Sequence, residues 1–211
     1  MAIKLDKCVI MMTPKCGSSW ILRSLIESRI ELDAIGGGGD GNIYGTGLYL
    51  DEHQSQPQLN TTRIHSRLDN TDTGDLFTIG LVRNPLSWLQ SYWSYRMTRG
   101  WLRSALDKQC QSSNFHDFIE NVLSKCPGIV TETFNDYVGS PGDVSYICKQ
   151  ESLEDDLKLA FQIAGQKYDD DFFIKRRVNK RMHDSGYTAK LARGVIEAEW
   201  ESMTRFGYIG V

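Results

Sequence analysis

Residues 13–20 read T-P-K-C-G-S-S-W and join a short apolar run to the start of an amphipathic pattern. The run at 7–12 has the length of a buried strand, and between Ile21 and Ile26 apolar residues recur on one helical face. The stretch is therefore predicted to turn tightly from the end of a strand into the N-terminus of a helix. Such a turn presents unpaired backbone N–H groups and the positive end of the helix dipole, which favour a bound phosphate.

The side chains of this turn suit an anion as well. Gly17 lets the backbone approach a ligand closely, Ser18 and Ser19 add hydroxyl donors, and Lys15 adds a cation. On these residues alone two interpretations stay open: an ordinary strand–helix connection with Ser18 as N-cap, and a loop for a nucleotide phosphate. A Walker A loop needs Lys-Ser/Thr directly after its last glycine, whereas here Lys15 precedes Gly17.

A cysteine-protease interpretation fails. The run C-G-S-S-W is close to the signature C-G-[SA]-C-[WY], but the position of the nucleophile is occupied by Ser19. The partner histidine should follow by roughly 130–150 residues. His116 comes too early for that spacing and His183 too late.

A second motif follows a second apolar run. Residues 76–82 read L-F-T-I-G-L-V and predict a buried parallel strand. Asn84 is a good N-cap and Pro85 suits the first position of the next helix. Arg83 lies at the strand end and Ser91 eight residues later, two turns into that helix. Arginine offers a two-pronged donor for phosphate, although an arginine here could equally cap the edge of the sheet.

Composition narrows the class of protein. The 211 residues suffice for one domain, 1–211, with a single core. The net charge of −3 argues against a general nucleic-acid binder. Five cysteines without a CxxC pair predict free thiols in a reducing compartment. The first apolar run is too short for a signal peptide or a membrane span, so we expect a cytoplasmic protein.

The two motifs together resemble those of the PAPS-dependent sulfotransferases, where PAPS is 3′-phosphoadenosine-5′-phosphosulfate. The family's 5′-phosphosulfate loop reads T-x-P-K-x-G-[ST]-[ST]-W, which Pro14 through Trp20 match position by position, while Thr13 lacks the intervening residue. Arg83 and Ser91 match the family's R-x7-S motif for the 3′-phosphate. The resemblance implies an α/β fold, three-layered and P-loop-like, with a central parallel sheet of about four or five strands flanked by helices.

The resemblance also implies an activity: transfer of a sulfuryl group from PAPS to an acceptor hydroxyl or amine, releasing PAP (adenosine 3′,5′-bisphosphate), without a metal. Lys15 would neutralise charge on the bridging oxygen, Trp20 would stack on adenine, and Arg83 with Ser91 would bind the 3′-phosphate. His65 would accept the proton of the acceptor. The residues implied to hold the 5′-phosphosulfate are Pro14, Lys15, Cys16, Gly17, Ser18, Ser19 and Trp20.

The case for His65 is its position. It follows a β-branched run and precedes Arg83 by eighteen residues, about where the family places its general base. Histidine titrates near neutrality, which suits that role.

A basic cluster at 175–181 is either a solvated face or a segment that closes over the 3′-phosphate. Its candidate ligands are Arg177, Lys180 and Arg181.

Other segments supply predicted structure. Residues 144–149 read as a third strand, and acidic residues at 151–157 start a helix whose E-S-L resembles a structural turn of the family. Apolar residues from Ala192 to Met203, Trp200 among them, predict a final amphipathic helix.

Two rival functions remain open: a P-loop kinase that uses Mg²⁺ and ATP, and a non-catalytic module that binds PAP or another nucleotide. The acceptor could be a small molecule, a carbohydrate or a peptide.

Overall fold

The computed structural model describes residues 2–36, 65–101, 104–168 and 186–209. Within them the strands are β1 (Ala2–Lys4), β2 (Cys8–Met11), β3 (Asp33–Ile35), β4 (Phe77–Val82) and β5 (Tyr146–Lys149). The helices are α1 (Ser18–Glu27), α2 (Pro85–Arg99), α3 (Ala105–Cys110), α4 (Phe115–Lys125), α5 (Ile129–Val138), α6 (Leu153–Ala164), α7 (Ala189–Ala198) and α8 (Trp200–Arg205). Short 3₁₀ turns occupy Leu68–Asn70 and Gln150–Ser152.

The strands form one sheet in the order β3-β1-β2-β4-β5. The predicted α/β fold is confirmed, and its three central strands β2, β4 and β5 run parallel as expected. The sheet as a whole is mixed, because β1 pairs antiparallel with both β2 and β3. Only three residues separate β1 from β2, and a connection this short can build a hairpin but not a parallel crossover.

The core lies on both faces of the sheet. All four residues of β2 are buried, although successive side chains of a strand point to opposite faces. On one face Gly80 of β4 permits close approach of α5: a Cβ at Gly80 would lie 2.7 Å from Cγ1 of Val138. The main buried cluster includes Val138 of α5 together with Leu25 of α1 and Phe161 of α6.

The final predicted helix is broken at Glu199. Helix α7 ends at Ala198, and the buried carboxylate of Glu199 accepts the backbone N–H groups of Val130 and Thr131 at the start of α5, at 3.1 and 2.8 Å. This long-range cap explains why one amphipathic pattern becomes two helices. Trp200, expected in the core, is 56% exposed as a result.

The parallel strands place three connections at one edge of the sheet. Because β2, β4 and β5 run in the same direction, the segments that follow Met11, Val82 and Lys149 all emerge at their carboxyl ends. This is where α/β sheets bind ligands. No helix in the described parts of the chain is both long and apolar enough to cross a membrane.

Candidate functional site

The turn after β2 depends on Gly17. Gly17 is the N-cap of α1, with φ +94° and ψ 4°. A Cβ at this position would lie 2.4 Å from Cδ2 of Leu153 at the start of α6, so a larger residue meets both a clash and an unfavourable φ. The interpretation as an ordinary strand–helix connection made Ser18 the N-cap. The hydroxyl of Ser18 instead donates back to the carbonyl of Thr13 at 2.8 Å.

The backbone of this turn has the alternating conformation of an anion-binding nest, although the N–H of Cys16 already donates to the carbonyl of Thr13 at 3.4 Å. Lys15 has φ +65°, and together with Gly17 it places positive φ on either side of Cys16. Alternation of this kind directs successive N–H groups into a concavity that binds anions. The first turn of α1 adds the N–H groups of Ser18 and Ser19 and the positive end of the helix dipole, whereas the N–H of Trp20 donates to the carbonyl of Gly17 at 2.9 Å.

The guanidinium of Arg83 lies against the same turn. Its Nη1 donates to the carbonyl oxygen of Lys15 at 3.1 Å, and its Nε donates to the hydroxyl of Ser87 at 2.8 Å. The two motifs read from the sequence therefore meet in one site. The pairing of β2 with β4 explains this, because each motif follows one of two adjacent parallel strands.

One face of α2 runs beside both cations. Ser87, Ser91 and Tyr95 follow each other at intervals of four and share this face. Ser87 contacts Arg83, and the ammonium of Lys15 lies 4.0 Å from the ring centroid of Tyr95, a cation–π distance. Ser91 is half-buried and lies one helical turn from Ser87 and from Tyr95.

The positive charge of the site is only partly compensated. Burial, followed by the nearby charges of Arg83 and Arg96, lowers the pKa of Lys15 to about 8. Arg96 is paired with the buried Asp107, Nε to Oδ1 2.9 Å. Within the described residues Lys15 has no carboxylate at ion-pair distance. An anion bound here would supply the missing counter-charge.

His65 lies at the end of β2. Its Nδ1 donates to the carbonyl of Met12, so in the neutral ring Nε2 carries the lone pair. Burial, with a smaller effect from the charge of Lys15, lowers the pKa of His65 to about 4. The imidazole is therefore neutral at pH 7 and does not titrate near neutrality as the sequence suggested.

The remaining residues of the first motif have different surroundings. The carbonyl of Pro14 accepts the indole N–H of Trp88 at 2.9 Å, which ties the turn to α2. The side chain of Cys16 is fully buried, so Cys16 can offer a ligand only its backbone. Ser19 is exposed, and Trp20 is half-buried with one side against the core.

The turn after β5 touches both motifs, which the sequence did not predict. Leu153 packs on Gly17, while Oε1 of Glu151 accepts the backbone N–H of Asn84 at 2.9 Å and the hydroxyl of Ser87 at 3.3 Å. Oε2 of Glu151 accepts the hydroxyl of Tyr208 at 3.1 Å. The sequence did carry a signal for this turn, the run E-S-L at 151–153, but we interpreted that run as purely structural.

The late basic candidates Arg177, Lys180 and Arg181 lie outside the described residues. Among the residues that are described, no group of three or more His, Cys, Asp or Glu side chains is placed to hold a metal ion.

Comparison of the chain with protein-family models, curated proteins and solved structures found no match. The fold and the site themselves define an α/β protein with a cationic turn at the carboxyl edge of its parallel strands.

Proposed function

We propose that this protein is a PAPS-dependent sulfotransferase. The observation that carries the proposal is the 3.1 Å contact between Arg83 and the carbonyl of Lys15, which unites two anion motifs in one site. A ligand with two separate anionic groups fits such a site, and PAPS has a 5′-phosphosulfate and a 3′-phosphate. The residue pattern of the two motifs supports the same ligand.

The 5′-phosphosulfate would bind at the turn after β2. Backbone N–H groups around Gly17 and the first turn of α1 would hold its oxygens. Transfer breaks the bond between sulfur and the bridging oxygen and forms a bond from sulfur to the acceptor. Charge then grows on the bridging oxygen, which stays with PAP, and the ammonium of Lys15 would neutralise it. Positioning and electrostatic stabilisation dominate such in-line transfers.

His65 would take the proton that the acceptor hydroxyl or amine loses. The contact of Nδ1–H with Met12 fixes the tautomer, so Nε2 is the basic nitrogen. The lowered pKa keeps this nitrogen unprotonated at pH 7. His65 thus has the protonation state that a general base requires.

The 3′-phosphate would bind at Arg83. Nε and Nη1 of Arg83 donate to Ser87 and Lys15, and a planar guanidinium with five N–H donors has the geometry that binds phosphate. Ser91, one turn beyond Ser87, would add a hydroxyl. Discrimination between PAPS and nucleotides without a 3′-phosphate would arise here.

The test has a binding arm and a transfer arm. Calorimetry should show that PAP binds at least tenfold more tightly than adenosine 5′-monophosphate, since the extra phosphate adds a charge-assisted contact. Labelled PAPS offered with phenol, sugar and peptide acceptors should yield labelled product in the presence of EDTA. Activity that needs Mg²⁺ and ATP would instead indicate a kinase. Tight PAP binding without transfer would indicate a non-catalytic module.

A further inference from the structure

A carboxylate lies within the proposed anion site. Glu151 contacts the second motif through Oε1, which accepts from the backbone of Asn84 and the hydroxyl of Ser87. A negative charge here repels an anionic ligand, so electrostatics alone disfavours it. The hydrogen bonds give another reason for a carboxylate at this position.

Glu151 contacts Ser87, whose hydroxyl accepts the Nε–H of Arg83. A serine hydroxyl has one hydrogen to donate and lone pairs to accept. Ser87 donates toward Glu151 or toward the carbonyl of Asn84, at 3.3 and 3.1 Å, and either choice leaves a lone pair for Nε of Arg83. Glu151 also holds the backbone N–H of Asn84, the residue after Arg83. The carboxylate thus fastens both the chain next to Arg83 and the group to which Arg83 donates.

Glu151 is itself held in place. Oδ2 of Asp156 accepts from the backbone of Lys149 at 2.7 Å and from the hydroxyl of Ser152 at 2.9 Å, which fastens the turn on both sides of Glu151. The hydroxyl of Tyr208 donates to Oε2 of Glu151 at 3.1 Å. Both carboxylate oxygens are therefore engaged by the protein.

We infer that Glu151 is a positioning residue that orients the guanidinium of Arg83, and that Tyr208 holds Glu151 in this role. The ligand side of the inference rests on the proposed function. A planar guanidinium binds phosphate through two parallel hydrogen bonds, so its affinity depends on orientation. Glu151 then sharpens the preference for a nucleotide with a 3′-phosphate without touching that phosphate.

Calorimetry with PAP and adenosine 5′-monophosphate tests this on the full chain. Glu151→Ala should weaken PAP binding about tenfold, the equivalent of one charge-assisted hydrogen bond, and change binding of the monophosphate less than twofold. Tyr208→Phe should weaken PAP binding about threefold. The double variant should bind PAP no worse than Glu151→Ala alone, because the two residues act through one contact.

Two further variants separate charge from position. Glu151→Gln keeps an oxygen for Asn84 and should retain most of the PAP affinity. Tyr187→Phe removes a hydroxyl that donates to the carbonyl of Leu86 at 3.0 Å, also in the first turn of α2, and should leave both affinities unchanged. Melting temperatures confirm that each variant folds. If Glu151→Ala does not fold, Glu151→Gln and Tyr208→Phe test the inference.

Equal losses for both nucleotides, additive losses in the double variant, or tighter PAP binding by Glu151→Ala would each overturn the inference. A second readout needs no nucleotide. The ¹⁵N-resolved Nε–H signal of Arg83, assigned by its loss in Arg83→Lys, should be sharp in the native protein and broadened in Glu151→Ala. An unchanged signal refutes the positioning role. Failure of the native protein to bind PAP refutes the proposed function and leaves this readout to decide the role of Glu151.

Discussion

Nη1 of Arg83 lies 3.1 Å from the carbonyl oxygen of Lys15, although the two residues are 68 positions apart in the chain. Each residue follows one of two neighbouring parallel strands, so the sheet brings the motifs together and the hydrogen bond fixes their distance. The predictions below all depend on this arrangement.

Arg83→Ala should weaken PAP binding about tenfold or more while leaving adenosine 5′-phosphosulfate, which lacks the 3′-phosphate, nearly unaffected. Arg83→Lys should not restore the loss, because an ammonium cannot bridge Ser87 and Lys15 in the plane of a guanidinium. Calorimetry measures both ligands. Arg99→Ala, an exposed arginine at the end of α2, is the control. Equal losses for the two ligands would contradict the assignment of Arg83 to the 3′-phosphate.

Lys15→Met should abolish turnover by orders of magnitude and keep PAP binding, because the lost charge acts mainly on the bridging oxygen. The same change should raise the melting temperature at pH 7. The lowered pKa means that the folded protein disfavours the ammonium relative to the unfolded chain. Lys158→Met, which removes an exposed lysine paired with Glu154, serves as control for both measurements. Unchanged turnover would remove Lys15 from the mechanism.

The pH profile of kcat/KM, which reports the protein without ligand, should be flat from about pH 5 to 7 and should fall above pH 8. The fall follows from deprotonation of Lys15, whose pKa is about 8. The acid limb should appear only as the pH approaches the pKa of His65, about 4. Initial rates between pH 4 and 10 test this, and an acid limb near pH 6.5 would point to a base other than His65.

The same shifts give the sign of two contributions to stability. Between pH 8 and 10.5 the folded chain has released the Lys15 proton and the unfolded chain has not, so this group raises the free energy of unfolding as the pH rises. Between pH 6.5 and 4 the unfolded chain protonates its histidine first, so His65 lowers the free energy of unfolding as the pH falls. Denaturant titrations at a series of pH values give the free energy of unfolding of the native protein and of His65→Ala. The slopes of this free energy against pH should differ between the two proteins only from pH 6.5 to 4.

Gly17→Ala should destabilise the fold by about 2–4 kcal/mol, from the unfavourable φ and the clash with Leu153 together. Gly142→Ala is the matched control: its φ is +99°, close to the +94° of Gly17, but a Cβ there meets nothing within 4 Å. The control should cost about 1 kcal/mol, the φ term alone. Chemical denaturation measures both, and equal costs would show that contact with α6 does not constrain the turn.

Local sequence patterns predicted central strands of the sheet and the start of α2. The apolar runs became β2 and β4, and Asn84 caps α2 by accepting from the backbone of Leu86, with Pro85 at the first helical position. The short strands β1 and β3 escaped prediction because three residues carry too little periodicity to distinguish a strand from a loop.

Long-range contacts decided what local patterns could not. The break at Glu199 depends on the start of α5, 69 residues earlier in the chain, and the role of Glu151 depends on Asn84, 67 residues away. The tautomer of His65 likewise depends on its contact with Met12, 53 residues away. The motifs named the candidate site residues, whereas the hydrogen-bond partners of those residues depend on contacts that are distant in the sequence.

The site is assembled from segments that span the chain from Met12 to Tyr208, through Arg83 and Glu151. A ribosome-bound chain that has emerged only as far as α5 lacks β5 and everything that fastens Arg83 from that side. The nucleotide binding proposed above would therefore begin only after the chain through Tyr208 has left the ribosome.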